Sequence, residues 1–140
     1  MKNIYEVWDE FEAAKGKKER MAVIGHNLSQ TLHDVLLLTY HPTCKWLIEE
    51  IPEGYEIKQI PAGMGYAKLS TELRKLYMFQ EGHETAQKLS PRKREQLLLE
   101  LLYSLEPREA EVVMGILRKD QCVKGLDYKF VKEAFPNMLP

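Results

Sequence analysis

"LSPRKREQLLLELLYSLEPREAEVVMGILRK", residues 89–119, holds the spacing that decides the fold. Leu97, Leu98, Leu101, Leu102 and Leu105 recur at helical intervals. Val112, Val113, Ile116 and Leu117 do the same one segment later, so each set lines one apolar stripe. Ser90-Pro91 supplies a serine N-cap with proline at the first helical position, and Glu106-Pro107 opens a second helix in a similar way. Helices are therefore predicted over 91–104 and 107–119, divided at Pro107.

The same period runs outward through most of the chain. Ile4, Val7, Trp8 and Phe11 fall on one helical face. Further helices are predicted over 4–14, 17–27, 31–40, 43–50, 70–79 and 128–135. Between 51 and 67 the sequence "IPEGYEIKQIPAGMGYA" carries prolines and glycines that a helix does not tolerate. It reads as a long ordered connection with a short strand at 56–60. The expectation is an all-α, compact multi-helix domain over residues 1–140, with Trp8, Tyr40, Trp46, Tyr77 and Phe79 in its core rather than serving as platforms for stacked bases.

Composition agrees with one such unit. A chain of 140 residues, 44% hydrophobic and 29% charged, has the size and apolar content for a single core. The apolar run at 35–38 is far too short to span a bilayer, and "MKNIYEVWDEFE" has no signal-peptide core, so a soluble protein with no membrane partner is expected. Cys44 and Cys122 lack metal-ligand spacing and further partners, which disfavours a zinc site or a disulfide framework. His26, His33, His41 and His83 form no HExxH pair, and "GMGYA" at 63–67 lacks the Lys-Ser/Thr ending of a phosphate loop. Neither a metal nor a cofactor is expected, and no catalytic residue stands out.

A net charge of −1 argues against simple polyanion binding, but the average hides a pattern. Basic residues gather at Lys15, Lys17, Lys18 and Arg20; at Lys88, Arg92, Lys93 and Arg94; and at Arg118, Lys119, Lys124, Lys129 and Lys132. Acidic residues crowd elsewhere, at Asp9, Glu10 and Glu12, and at Glu49, Glu50, Glu53 and Glu56. On the predicted map each basic stretch lies at a helix N-terminus, where free backbone N–H groups and the helix dipole already favour an anion. Three such sites on one side of a domain would follow a phosphate backbone.

Residues 89–140 as a whole resemble the end of the N-terminal DNA-binding domain of ATP-dependent DNA ligases, most closely the T-even phage type. The resemblance is carried by Lys119-Asp120 at a helix end, Gly125 in the following loop, the short helix 128–134, Phe135-Pro136, and the tail Met138-Leu139-Pro140. Upstream, "LLTYHPTCKWLIEEIP" at 37–52 is similar to the family's Leu-Thr-Tyr helix end and the helix after it, and "AAKGKKERMAVI" at 13–24 is similar to its second helix start. Order and spacing, rather than any one motif, carry the likeness over essentially the whole chain.

The resemblance implies a helical module that grips duplex DNA, intact or nicked, in and beside the minor groove through backbone contacts, in DNA repair or replication and in the cytoplasm of a bacterial or phage-infected cell. By position it implies contacts from Lys15, Lys17 and Lys18; from Ser90, Arg92 and Lys93; and from Lys124, Gly125, Asp127 and Lys129. Gly125 would let the backbone approach a phosphate while the lysines neutralise its neighbours. The family's catalytic Lys-x-Asp-Gly motif is absent, so the chain is expected to be non-catalytic, free-standing or a part of a ligase, with a replication clamp or a ligase catalytic domain as further partners. The competing reading is a protein-interaction adaptor, for a clamp or a host factor, that keeps the fold without the DNA.

Overall fold

The computed structural model describes residues 2–48 and 67–140. The expected connection at 51–67 up to residue 66, its strand at 56–60, the phosphate-loop-like 63–66 and the acidic residues Glu49, Glu50, Glu53 and Glu56 lie outside the described residues. Among those described the structure is helical: α1 (Ile4–Ala13), α2 (Gly16–His26), α3 (Gln30–Tyr40), α4 (Leu69–Glu72), a 3-10 helix (Leu73–Phe79), α5 (Glu84–Lys88), α6 (Pro91–Ser104), α7 (Pro107–Arg118) and α8 (Tyr128–Ala134).

The helix starts follow local chemistry. Ser29 Oγ accepts from Leu32 N at 3.1 Å, Ser90 Oγ from Lys93 N at 3.1 Å and Asp127 Oδ1 from Phe130 N at 2.8 Å, each satisfying a backbone donor that the helix leaves free. Pro91 and Pro107 open α6 and α7 as their spacing predicts.

α7 is the spine of the core. Ala110, Val112, Val113, Met114, Ile116 and Leu117 are all buried, and α7 packs on α1, α3 and α6, while α1 also packs on α2 and α3 on α8. Phe11 of α1 and Phe130 of α8 meet edge to face, with ring centroids 5.0 Å apart, closing the core on that side.

One polar group organises this apolar centre. Gln121 accepts from Trp8 Nε1 at 3.2 Å, and its Nε2 donates to Thr39 Oγ1 and to Val112 O, both at 3.0 Å. The side chain therefore ties α1, α3 and α7 together, with both N–H donors and its oxygen hydrogen-bonded. Gly115 makes room for it: a Cβ there would lie 2.8 Å from Gln121 Cδ.

Three expectations are corrected. Residues 43–48 form no helix. Leu47 N donates to Phe79 O at 2.7 Å and Glu81 N to Lys45 O at 2.8 Å around a Trp46–Gln80 bridge, and this pairing buries Trp46 where a helix was expected. The helix expected over 70–79 divides into α4 and the 3-10 helix, and α5 is an additional short helix whose start is set by His83 Nδ1 accepting from Thr85 N. Tyr77 is 43% exposed rather than in the core, its ring lying against His83, whereas Trp8, Tyr40, Trp46 and Phe79 are buried.

Candidate nucleic-acid interface

The stretch between α7 and α8 is fixed by its own sequence. α7 ends at Lys119, whose backbone is left-handed at φ 61°, and Asp120 N returns to Gly115 O at 3.0 Å. Lys119 Nζ donates to Leu38 O and His41 O, at 3.0 and 2.8 Å, which ties the loop to the end of α3. Burial lowers the Lys119 pKa, so this lysine is a brace for carbonyls and not a free surface cation.

Further along, Cys122 N donates to Asp120 Oδ1 at 2.8 Å and Leu126 N to Val123 O at 3.0 Å. The Tyr40 hydroxyl donates to Leu126 O at 3.2 Å, and burial raises its pKa. Lys124 and Gly125 are thereby held out on an exposed turn, with Gly125 at φ 85°.

All ten sequence-predicted contact residues are exposed. Their arrangement is uneven. The first and third stretches meet, because Lys17 pairs with Glu133 of α8 and the Arg20 side chain reaches the Gly125 turn. Lys15, Lys18, Lys124 and Lys129 have no carboxylate within ion-pair distance among the described residues. The second stretch is anchored elsewhere: Arg94 Nε donates to Ala86 O at 3.1 Å, holding the start of α6 to α5. Ser90, Arg92 and Lys93 thus sit on the α5–α6 corner, and no hydrogen bond or ion pair among the described residues links them to the other two stretches.

Two of the residues expected at the DNA have partners within the fold. Asp127 caps α8 through Phe130 N, which assigns its carboxylate to the helix. The space that Gly125 leaves open is filled: a Cβ there would lie 2.5 Å from Arg20 Nη1. The first turn of α2 also carries its own anion, since Glu19 Oε2 accepts from Lys15 N at 2.6 Å. The start of α8 is accordingly capped by the chain's own side chain and that of α2 carries a carboxylate, and their free cations are the lysines around them.

Sequence reasoning placed Arg20 in a basic stretch but not among the contacts. Its partner Gly125 stands more than a hundred positions along the chain, and only the fold brings the two together. The acidic stretch on α1 is largely neutralised, as Arg108 makes a two-pronged pair with Asp9 at 2.8 and 2.6 Å and Lys2 pairs with Glu10 at 2.6 Å.

The class these features define is a helical domain with an exposed, incompletely paired cationic surface at α2, the 119–127 loop and α8. The sequence matches the model of a family of unknown function, DUF6433, over residues 7–124, and the chain belongs to that family. The matched span contains the first two basic stretches and Arg118, Lys119 and Lys124 of the third. No curated protein matches the chain.

Proposed function

We propose that this protein is a non-catalytic module that binds duplex DNA without reading sequence, along the phosphate backbone and minor groove. Its primary contact is the surface of α2, the 119–127 loop and α8, with the α5–α6 corner as a separate second contact. The observation that carries this reading is the meeting of two basic stretches from opposite ends of the chain on a rigid, exposed turn, with Lys15, Lys18, Lys124 and Lys129 unpaired among the described residues. Unpaired ammonium groups on a preorganised surface gain from releasing the counterions of DNA without first breaking ion pairs of their own. The resemblance of 89–140 to the DNA-binding domain of ATP-dependent ligases points the same way.

The test is a fluorescence-anisotropy titration against intact and nicked duplexes of one sequence, from low to physiological salt. Affinity falls with salt at a log-log slope of about −0.9 per phosphate neutralised, and Lys124→Glu with Lys129→Glu weakens binding by about tenfold or more. A slope near zero, or a charge-reversed variant that binds as well as the native chain, overturns the reading. Tighter binding to the nicked duplex places the module on ligase-type substrates.

A second reading, a protein-interaction adaptor recruiting a clamp or a host factor, is favoured by the net charge of −1 and by the side-chain caps on the starts of α6 and α8. It expects the same lysine reversal to leave partner binding intact. The pairing of Asp9 and Glu10 leaves it a smaller acidic surface than the sequence suggested.

A further inference from the structure

We infer that Arg20, absent from the contacts implied by the sequence, supplies a phosphate-binding guanidinium at the centre of the α2–loop–α8 surface, seated in the notch that Gly125 creates. Gly125 has no Cβ and a backbone at φ 85°, and Arg20 Nη1 lies 2.5 Å from where a Cβ would stand. The guanidinium also lies over Phe11, with Cζ 5.8 Å from the ring centroid. The group is thus held against an aromatic face and beside a glycine backbone before any ligand arrives.

What the clamp does not supply is an acceptor. Arg20 Nε is buried with no hydrogen-bond partner, and no carboxylate pairs with the guanidinium among the described residues. A guanidinium fully committed to structure is normally paired with a carboxylate or carbonyl oxygens, because it carries five donors and keeps its charge at any physiological pH. Here the residue keeps part of its surface open; the exposed Lys124 stands beside Gly125 on the turn, and Lys18 and Lys17, the latter paired with Glu133, lie at the start of its own helix. A phosphodiester laid over this turn meets the terminal N–H donors of the Arg20 guanidinium, its Nε being buried, and the ammonium groups beside it. Fork-shaped donors suit two oxygens of one phosphate, whereas the lysines act as point charges around it.

This assignment rests on the duplex-binding reading, and the experiment separates the two. The anisotropy titration is run on the native chain, Arg20→Gln and Arg20→Lys, each checked by thermal melting. The expected result is about tenfold weaker binding for Arg20→Gln and a salt slope shallower by about 0.9, the loss of one neutralised phosphate. Arg20→Lys keeps the slope and loses part of the affinity, because the charge remains and the fork does not. If the native chain binds while Arg20→Gln retains its slope and affinity, Arg20 is only a brace and the inference falls with the reading intact. If the native chain binds no duplex at low salt, both fall together. Should Arg20→Gln fail to fold, the Nη–Hη NMR signal of Arg20 in the native chain decides. Its displacement on adding duplex upholds the contact, and an unmoved signal at saturation overturns it.

Discussion

The two ends of the segment joining α7 to α8 obey opposite rules. At its inner end Gln121 is 8% exposed and every polar atom of its amide has a partner on another helix. Four residues later Gly125 stands on an exposed turn among lysines without partners. The first end gains its stability by satisfying every donor, whereas the second keeps its cations available. A single loop can do both because Lys119, just before the buried anchor, and the Tyr40 bond to Leu126 O, just after the exposed turn, tie it to α3 on either side.

The sharpest way to break this contrast is to cut the inner anchor. Gln121→Ala leaves the Trp8 indole N–H buried without a partner and empties the space the amide fills between α1, α3 and α7, at a cost of about 3 kcal/mol, or a fall in Tm of about 10 °C by calorimetry. Gly115→Ala reaches the same network from below and costs about 2 kcal/mol, because the added methyl displaces the pinned Gln121 amide. Lysine reversals at the outer end, by contrast, leave stability within about 0.5 kcal/mol while changing salt-dependent binding. A large loss of Tm in Lys124→Glu would erase the distinction between the two ends.

A smaller effect probes the separate corner. Ser90→Ala removes the cap on α6 and lowers stability by about 1 kcal/mol in denaturant unfolding. Because that corner is a separate contact, duplex affinity should change less than in the Lys124 and Lys129 variants.

The smallest expected effect lies at the far end of α7. Burial, with Glu106 and Glu6 adding to it, raises the Glu109 carboxyl above its ordinary 4.5. The folded chain then holds this proton more tightly than the unfolded chain. Its contribution is fully present below pH 4.5 and is lost as pH rises through the raised folded value. Glu109→Gln should therefore melt higher than the native chain at pH 7, with the gap closing towards pH 4.5. A constant gap across that range would remove Glu109 as its source.

How much of this was legible in the sequence depended on how local the cause was. The starts of α6 and α7 were readable because Ser90, Pro91 and Pro107 act on their own first turns. The absence of helix at 43–48 was not, because Trp46 and Leu47 are ordered by residues 79–81, and pairing at that distance overrides a helical period. Tyr77 had helical spacing but sits on the outside of a 3-10 helix, whose three-residue turn moves it off the face that an α-helix would bury. In the candidate site the exposed lysines could be found from charge clustering alone. Arg20 could be counted as basic but not placed, since its role depends on a glycine brought to it by the fold.

The bond from Trp8 Nε1 to Gln121 spans 113 positions. During synthesis at roughly 5–20 residues per second, the first helix leaves the ribosome on the order of ten seconds before its central partner. Until Gln121 arrives, the faces of α1 and α3 that it joins stay open to other chains. Early release of a chain that stops at residue 120 would leave that surface uncovered.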